Sequence, residues 1–343
     1  MISVNNAVLP KGSLILVTGA NGFIASHLIE QLLALGYKVR GTTRTASKLD
    51  SLKSKWDASY PGLFEVAEVK DITVDGAFNE AIKGVHGVAH VASNVSFSSD
   101  YETVVRDAVE STLVALRAAA ATPSVKRFVL TSSIVAISTP DSSRQKDLKV
   151  GEKDFNYKTI EIAKSLPDSD PSKGAYVYGA SKTEGELAAW KFIKENNPSF
   201  EFSAVQPGFC IGEILDSKSQ TGSTAGFLRN LFTGESDFVM QMIPDVDMVP
   251  VVDIAALHVG ALLLPSVKSQ RLIASAYSVT WNQILSIFRK KYPNKSFPKD
   301  VENPATVYHI FDVEASLKVL KELGQEGWTP LEEALDQNVK AFA

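Results

Sequence analysis

A short apolar run followed by two closely spaced glycines constrains the fold of this chain more than any other stretch. Residues 14–17 are four apolar residues, too few for a helix, and Gly19 and Gly22 follow directly. After Gly22 the apolar residues recur at the three- to four-residue spacing of a helix. The segment therefore predicts a strand, a tight turn and a helix, the first half of a βαβ unit.

The same turn has the chemistry of a dinucleotide cradle. Gly19 can adopt backbone angles closed to other residues, Gly22 lets a phosphate approach the main chain, and the small Ala25 lets the helix pack closely on the strand. The start of the helix adds free N–H groups and a partial positive charge. Because the spacing is G-x-x-G-x-x-A and not the commoner G-x-G-x-x-G, a plain turn without ligand remains the alternative.

Alternating strand and helix patterns from residue 13 to residue 133 predict the fold class. Such alternation favours a parallel sheet with right-handed crossovers, here a Rossmann-type doubly wound α/β sheet with a smaller C-terminal α/β substrate lobe. We expect a nucleotide-binding domain over 1–211, with 246–265 returning to it, and a lobe built from 212–245 and 266–343. A polar stretch over 134–175 predicts a long loop that forms one wall of a substrate cleft.

Composition excludes several classes of partner. The net charge is −4 over 343 residues, and without a basic stripe we expect no nucleic-acid partner. The single Cys210 excludes an intrachain disulfide framework and fits a reducing compartment, and the five histidines lack metal-ligand spacing, so no metal is expected. With no leader-like start and no apolar run of the roughly 18 residues that span a membrane, we predict a soluble, cytoplasmic protein.

The end of the second predicted strand indicates which dinucleotide binds. An acid there would hold the 2′-hydroxyl of NAD, but Arg44 stands in that position, with Lys48 one helical turn further on. Positive charge favours the 2′-phosphate of NADPH; two solvated side chains are the alternative. Further along, Asp71 and Ile72 are placed to meet adenine, although an ordinary turn aspartate is equally compatible.

A tyrosine and a lysine four residues apart supply the candidate chemistry. Tyr178 and Lys182 fall at the head of a helix predicted from Val177 to about residue 195, and hence on one face. A fixed ammonium lowers the pKa of a phenol and makes it a better proton donor to a carbonyl oxygen. Ser133, at the carboxyl end of a predicted strand, is placed to hydrogen-bond the same oxygen. A surface tyrosine stacked on a lysine stem is the alternative.

Taken together, the segments 18–25, 131–133 and 178–182 resemble the extended branch of the short-chain dehydrogenase/reductase superfamily. Within it the chain is similar to the dihydroflavonol-reductase-like group, which includes fungal and yeast NADPH-dependent aldehyde and ketone reductases of the red-yeast carbonyl reductase type. The resemblance implies a catalytic triad of Ser133, Tyr178 and Lys182. It also implies that the cofactor contacts Gly19, Asn21, Gly22, Phe23, Ile24, Arg44, Lys48, Asp71, Ile72, Ala92, Ser93, Tyr178, Lys182, Pro207 and Phe209.

The region after residue 220 is rich in aromatic and thioether side chains. These residues either form the core of the lobe or line a hydrophobic pocket for an apolar carbonyl substrate. We predict a pocket walled by Phe97, Phe238, Met242 and the 134–175 loop, and we expect Asp253 to cap a helix.

Three functions remain open at this stage. The triad favours an NADPH-dependent carbonyl reductase that acts on a small-molecule ketone or aldehyde as a monomer or homodimer. A nucleotide-sugar epimerase would need basic contacts to a diphosphate in the second lobe, where Arg229 stands almost alone among residues 221–244. A protein that binds NADP only to sense it would not need the triad.

Overall fold

The structure is a computed structural model that describes residues 2–93, 97–138, 148–220, 224–243, 245–302 and 309–343. The strands are β1 (Leu14–Val17), β2 (Lys38–Thr43), β3 (Phe64–Glu68), β4 (Gly87–His90), β5 (Arg127–Thr131), β6 (Leu148–Val150), β7 (Glu201–Pro207), β8 (Phe209–Ile211), β9 (Asp245–Pro250), β10 (Arg271–Ala274), β11 (Tyr277–Thr280) and β12 (His309–Phe311). The helices are α1 (Phe23–Ala34), α2 (Asp50–Ser59), α3 (Tyr101–Ala120), α4 (Tyr157–Ser165), α5 (Lys173–Asn196), α6 (Thr224–Thr233), α7 (Phe238–Met242), α8 (Val251–Leu263), α9 (Trp281–Lys291), α10 (Glu314–Glu322) and α11 (Leu331–Val339). Short 3₁₀ helices cover Ala46–Leu49, Ile134–Ala136 and Lys340–Phe342.

Seven of the described strands form one parallel sheet in the order β10-β7-β5-β4-β1-β2-β3. The chain builds outward from β1 through β2 and β3, then returns to the other side of β1 with β4. The strand order therefore reverses between β1 and β4, and open α/β sheets bind ligands at the carboxyl ends of the strands flanking such a point. This arrangement confirms the predicted doubly wound fold.

Successive side chains along β1 point to opposite faces of the sheet and pack in two separate cores. Ile15 and Val17 belong to the core shared with α1 and α8, whereas Leu16 belongs to the core beneath α3 and α5. A strand buried on both faces must be apolar at every position, which explains the unbroken run at residues 14–17. The residues that made the strand recognisable are those that join the two layers of helices.

The C-terminal part of the chain adds a smaller layer with its own core. Strand β9 pairs antiparallel with β11 and parallel with β8, and α6, α9 and α11 contribute to the core on this sheet. The structure places β10, which falls within the 266–343 range expected for the lobe, in the main sheet beside β7. Helix α8 covers the main sheet, while β9, within the 246–265 range, lies in the small sheet. The lobe boundaries otherwise stay predictions.

The expectation of a structureless loop over 134–175 is wrong for its described residues. Strand β6 pairs with β12, and α4 covers residues 157–165. Helix α4 begins where the Asn156 side chain accepts a hydrogen bond from the backbone N–H of Thr159, and it buries Thr159 and Ala163. So few buried apolar residues leave little periodicity in the sequence. Residues 139–147 lie outside the described residues.

Asp253 does not cap α8, contrary to expectation. It lies in the first turn of the helix after Pro250 and is fully buried. Its carboxylate accepts hydrogen bonds from Gln325 Nε2 (3.0 Å), the backbone N–H of Thr329 (2.8 Å) and Thr329 Oγ1 (2.8 Å). Asp253 therefore holds the connection between α10 and α11 against α8.

Among the described residues, no helix combines the length and apolar character that crossing a membrane requires.

We predict that Asp253→Ala lowers the free energy of unfolding by about 1–3 kcal/mol, because a buried donor that loses its acceptor bears its full desolvation cost. Chemical denaturation followed by circular dichroism measures this. Asp57→Ala on α2, which removes a solvent-exposed ion pair with Lys53, is the control and leaves stability nearly unchanged. Equal stabilities of Asp253→Ala and the control would contradict the role of Asp253.

Candidate active site

The glycine turn lies at the carboxyl end of β1, where the strand order reverses. Gly19 has a φ of +70°, and a Cβ atom there would lie 3.1 Å from Ala92 Cα. Gly22 precedes α1, with no side chain capping the helix and no acid in its first turn. The N–H groups of Phe23 and Ile24, which begin the helix, thus point toward a space that suits a phosphate. Asn21 lies within the same turn.

Thr18, which sequence reasoning missed, joins the two strands at this point. Its hydroxyl accepts hydrogen bonds from the backbone N–H groups of Val91 and Ala92, each at 3.0 Å. Its own proton is therefore left for His90 Nδ1, 3.1 Å away, and this network assigns the ring proton of His90 to Nε2. Burial lowers the pKa of His90 to about 3, so the ring stays neutral. Ala92 and Ser93, predicted along the cofactor, follow directly.

The side chains predicted to bind a 2′-phosphate lie at the end of β2. Arg44 and Lys48 are both exposed, and within the described residues neither forms an ion pair. Arg40 is engaged elsewhere, since it donates to Glu65 and to two backbone carbonyl groups. The carboxylate of Glu68 accepts a hydrogen bond from the backbone N–H at the start of the 3₁₀ helix that carries Lys48. Arg44 and Lys48 are thus the side chains at this end that remain open to an anion.

Asp71 lies in an ordinary turn, which was the alternative to a contact with adenine. Its carboxylate accepts hydrogen bonds from the backbone N–H and the hydroxyl of Thr73, which lower its pKa. Ile72 packs against the core beneath α3. Both residues lie just past β3, at the sheet edge that carries the glycine turn, and their contact with adenine stays a prediction.

Tyr178 and Lys182 share one face of α5 and meet Ser133. Helix α5 begins at Lys173, earlier than predicted, so Tyr178 lies in its second turn and not at its head. The Ser133 hydroxyl donates to the carbonyl of Pro207 (3.4 Å) and lies close enough to the Tyr178 phenol to affect its pKa. Lys182 Nζ donates to Ser93 Oγ (2.9 Å). The structure therefore brings together the predicted triad and two of the predicted cofactor residues.

The predicted lowering of the Tyr178 pKa is wrong. Burial raises the pKa of Tyr178 to about 12, with a smaller opposing effect of the neighbouring Ser133 hydroxyl. The ammonium of Lys182 lies 5.9 Å from the centre of the phenol ring. Burial also lowers the pKa of Lys182 to about 8, and the carboxylate of Glu186 partly opposes this. In this environment desolvation outweighs the opposing effects of Ser133 on Tyr178 and of Glu186 on Lys182.

The predicted substrate pocket is described only in part. The Phe97 ring, which is 48% exposed, lies 5.3 Å from the Tyr178 ring, and a Cβ atom at Gly174 would lie 2.2 Å from the Phe97 carbonyl oxygen. Phe238 is exposed at the start of α7, and the side chain of Met242 lies outside the described residues. Phe97 therefore borders the phenol, while the roles of Phe238 and Met242 stay predictions.

Pro207 and Phe209 are two further residues that were predicted to contact the cofactor. Pro207, at the end of β7, contacts Ser133 through its carbonyl. Phe209 is buried in the lobe core against Trp281, 5.9 Å between ring centres. Its neighbour Cys210 is buried too, which raises the pKa of this thiol to about 12.

In the described part of the chain, no group of three or more His, Cys, Asp or Glu side chains is arranged to hold a metal ion.

Comparison with known proteins places this geometry in a family. Residues 15–271 match the model of the NAD dependent epimerase/dehydratase family. The chain is 52% identical to aldehyde reductase 2 of Sporidiobolus salmonicolor over 335 residues, which cover 98% of this chain and 97% of that protein. The chain belongs to this family. The predicted relationship to short-chain-dehydrogenase-type reductases is thereby confirmed.

Solved structures of similar proteins agree with the family assignment. Yeast methylglyoxal/isovaleraldehyde reductase Gre2, complexed with NADPH, superimposes with a TM-score of 0.78 at 28% identity, covering 95% of this chain and 96% of the other. Gre2 of Candida albicans, also complexed with NADPH, gives a TM-score of 0.80 at 27% identity and covers 96% and 100% of the two chains. The chain therefore shares the fold of known reductases over almost its whole length.

We predict that Lys182→Met is more stable than the unsubstituted protein at pH 7. The folded-state pKa of Lys182 is about 8 and the ordinary value is 10.5, so between these limits the unfolded chain binds more protons and stability rises with pH. The charged lysine therefore costs stability at pH 7. The advantage of Lys182→Met is expected to shrink as pH rises from about 8 to 10.5.

Denaturant titrations at pH 7 and pH 10 measure this difference. Lys191→Met, at an exposed lysine of the same helix, is the matched control and is expected to show no such pH dependence. If Lys182→Met is no more stable at pH 7, or its advantage is the same at both pH values, the lowered pKa is contradicted.

Proposed function

We propose that this protein reduces the carbonyl group of apolar or aromatic ketones, keto esters and aldehydes to alcohols, with Tyr178 as the proton donor. One observation carries the proposal: the Tyr178 phenol is close to both the hydroxyl of Ser133 and the aromatic ring of Phe97, on the same helix face as Lys182. A carbonyl oxygen that meets the phenol also meets Ser133. The coarser assignment as an NADPH-dependent carbonyl or aldehyde reductase is confirmed by its relatives.

The residues near the reversal of strand order between β1 and β4 fit NADPH. The start of α1 offers uncapped N–H groups, and Gly22 leaves so little room that a Cβ atom would lie 3.0 Å from the Gly19 carbonyl oxygen. At the far end, Arg44 and Lys48 supply positive charge to a 2′-phosphate. Lys182, which is already held by Ser93, is placed to bind the ribose of the nicotinamide.

The chain's own residues align the substrate and move the proton. When bound, NADPH supplies the hydride that reduces the carbonyl carbon. With a pKa of about 12, Tyr178 is protonated at neutral pH and therefore ready to donate to the oxygen as negative charge develops there. Ser133 orients that oxygen by a second hydrogen bond, for which its hydroxyl turns from the Pro207 carbonyl to the substrate. Lys182 stabilises the phenolate that remains until a proton returns from solvent.

The character of the second lobe argues against an epimerase of nucleotide sugars. Helix α6 directs Leu228, Leu231 and Phe232 into an apolar core. The side chain of Arg229 is paired with Glu235 and lies over the ring of Phe342, so it is engaged within the lobe. A sensor without turnover has no need for the hydrogen-bonded group of Ser133 and Tyr178. Carbonyl reduction uses both of these residues.

Tyr178→Phe is expected to lower kcat for reduction by about 100-fold or more, the usual contribution of a positioned general acid, while NADPH binding stays within about twofold. NADPH oxidation measured by absorbance, over a panel of aromatic ketones, keto esters and aldehydes, gives the rates. Tyr176→Phe is the matched control, since Tyr176 lies on the same helix but has Ala180, not a lysine, four residues on. Equal rates for Tyr178→Phe and the unsubstituted enzyme would refute the mechanism.

The double substitution of Arg44 and Lys48 by alanine tests the coenzyme preference. Hydrogen bonds to charged groups are worth about 1.5–3 kcal/mol, so the Kd for NADPH is expected to rise about 10- to 100-fold while the Kd for NADH changes little. Coenzyme fluorescence measures both constants. Lys38→Ala, at an exposed lysine at the other end of β2, controls for the loss of net charge. Parallel losses for NADPH and NADH would remove Arg44 and Lys48 from the 2′-phosphate site.

A further inference from the structure

A buried ion pair lies directly behind the proposed triad. Glu186 on α5 and Arg271 on β10 have side chains that are 0% and 4% exposed. Two hydrogen bonds join them, from Arg271 Nε to Oε1 (2.6 Å) and from Nη2 to Oε2 (3.2 Å). The sequence offers one indication of this pair, a glutamate one helical turn beyond Lys182, but a strand arginine 85 residues away cannot be paired with it from sequence.

The carboxylate of Glu186 also accepts hydrogen bonds from the residues that directly precede Ser133 and Pro207. Its Oε2 accepts a hydrogen bond from Ser132 Oγ (2.6 Å), next to Ser133. Its Oε1 accepts one from Gln206 Nε2 (2.9 Å), next to Pro207, whose carbonyl accepts the Ser133 hydroxyl proton. Trp190 Nε1 donates to Oε1 as well (3.1 Å). One carboxylate therefore fixes the ends of β5 and β7 relative to α5.

Arg271 extends this network to residues 152–155, which follow β6. Its Nη1 donates to the backbone carbonyl groups of Glu152 (2.9 Å) and Asp154 (2.6 Å). The guanidinium lies over the ring of Phe155, 4.0 Å from the ring centre. The ion pair thus holds residues 152–155 against the edge of the main sheet.

Stability alone is a poor explanation for such a pair. Removing two charges from water is costly, and well-packed apolar residues in place of a buried ion pair are often as stable or more so. Here the pair connects three elements that each carry a residue of the site: Ser133 after β5, Pro207 at the end of β7 and Lys182 on α5. The geometry therefore suggests a role in the chemistry.

We propose that Glu186, held by Arg271, is a positioning residue for carbonyl reduction, which fixes Ser133 relative to Tyr178 and keeps the Lys182 side chain charged. This inference rests on the proposed roles of Ser133, Tyr178 and Lys182. Glu186 acts through these residues and does not touch the substrate.

The charged and titratable groups around Lys182 favour this role. Glu186, one turn away, raises the pKa of Lys182 against the larger effect of burial, and His90 on β4 is neutral. Tyr178 and, beyond it, Cys210 on β8 are both protonated at neutral pH because burial raises their pKa values.

Where α3 and α4 approach the glycines of α5, the approaching residues are uncharged. Ala108 and Thr112 of α3 approach Gly185, and Thr159 of α4 approaches Gly179. The charged contact between these helices lies elsewhere, where Glu184 of α5 meets Tyr101 of α3 and Lys164 of α4. Glu186 is therefore the acid that acts on Lys182.

Four variants test the inference: Glu186→Gln, Arg271→Met, the double variant Glu186→Gln/Arg271→Met, and Glu195→Gln. Glu186→Gln is expected to lower kcat about 10-fold or more, with the KM for NADPH within about twofold. Because loss of the negative charge lowers the pKa of Lys182, the alkaline limb of the kcat profile is expected to move to lower pH by about half a unit or more. Glu195→Gln, at the exposed end of the same helix, is the control and leaves rate and profile unchanged.

The double variant removes both buried charges, so it keeps the test valid if Glu186→Gln alone does not fold. It is expected to fold, as judged by circular dichroism and NADPH binding, and to show the same reduced kcat and shifted limb. Arg271→Met leaves the Glu186 charge in place, so its limb is not expected to move to lower pH even where its stability falls. A double variant with the original kcat, or with reduced kcat and an unmoved limb, overturns the proposal.

The Tyr178→Phe measurement separates this inference from the proposed function. If Tyr178→Phe keeps the full rate, the roles of the triad are wrong whatever the Glu186 variants do. If Tyr178→Phe is inactive while the Glu186 variants retain rate and profile, only the positioning role of Glu186 fails.

Discussion

The hydroxyl of Thr18 is the contact on which the arrangement of the site depends. By accepting two backbone N–H groups after β4 and donating to His90, it holds the ends of β1 and β4 together where the strand order reverses. Gly19 can approach Ala92 so closely only because it has no side chain. The glycine turn after β1 and the residues that follow β4 are thereby fixed to each other.

From this point, polar contacts run across the sheet to its edge. Ser93 holds Lys182, Ser133 meets Tyr178, and behind them Glu186 reaches β10 through Arg271. Glu186 and Arg271 are buried, where an unpaired charge is costly and a paired one is held rigidly. The site is therefore preorganised at the expense of stability, as is common where function requires buried charge.

The predictions from sequence succeeded where the signal is local. The strand–turn–helix at residues 14–25, the spacing of Tyr178 and Lys182, and Ser133 at a strand end all follow from short-range patterns that the structure reproduces. They failed where burial decides. The phenol pKa of Tyr178 rises because the fold desolvates it, and Asp253 binds residues 325 and 329 that are distant in sequence.

The sequence alone determined the class of fold, the order of its first elements and the spacing that puts Tyr178 and Lys182 on one helix face, because apolar periodicity and residue spacing act within one or two turns of chain. Only the tertiary structure decided that β10 belongs to the main sheet, that α4 lies within a stretch too polar to predict it, and that Arg271 pairs with Glu186. Those outcomes depend on contacts between residues far apart in sequence, and the burial that sets their energies exists only once the chain has folded.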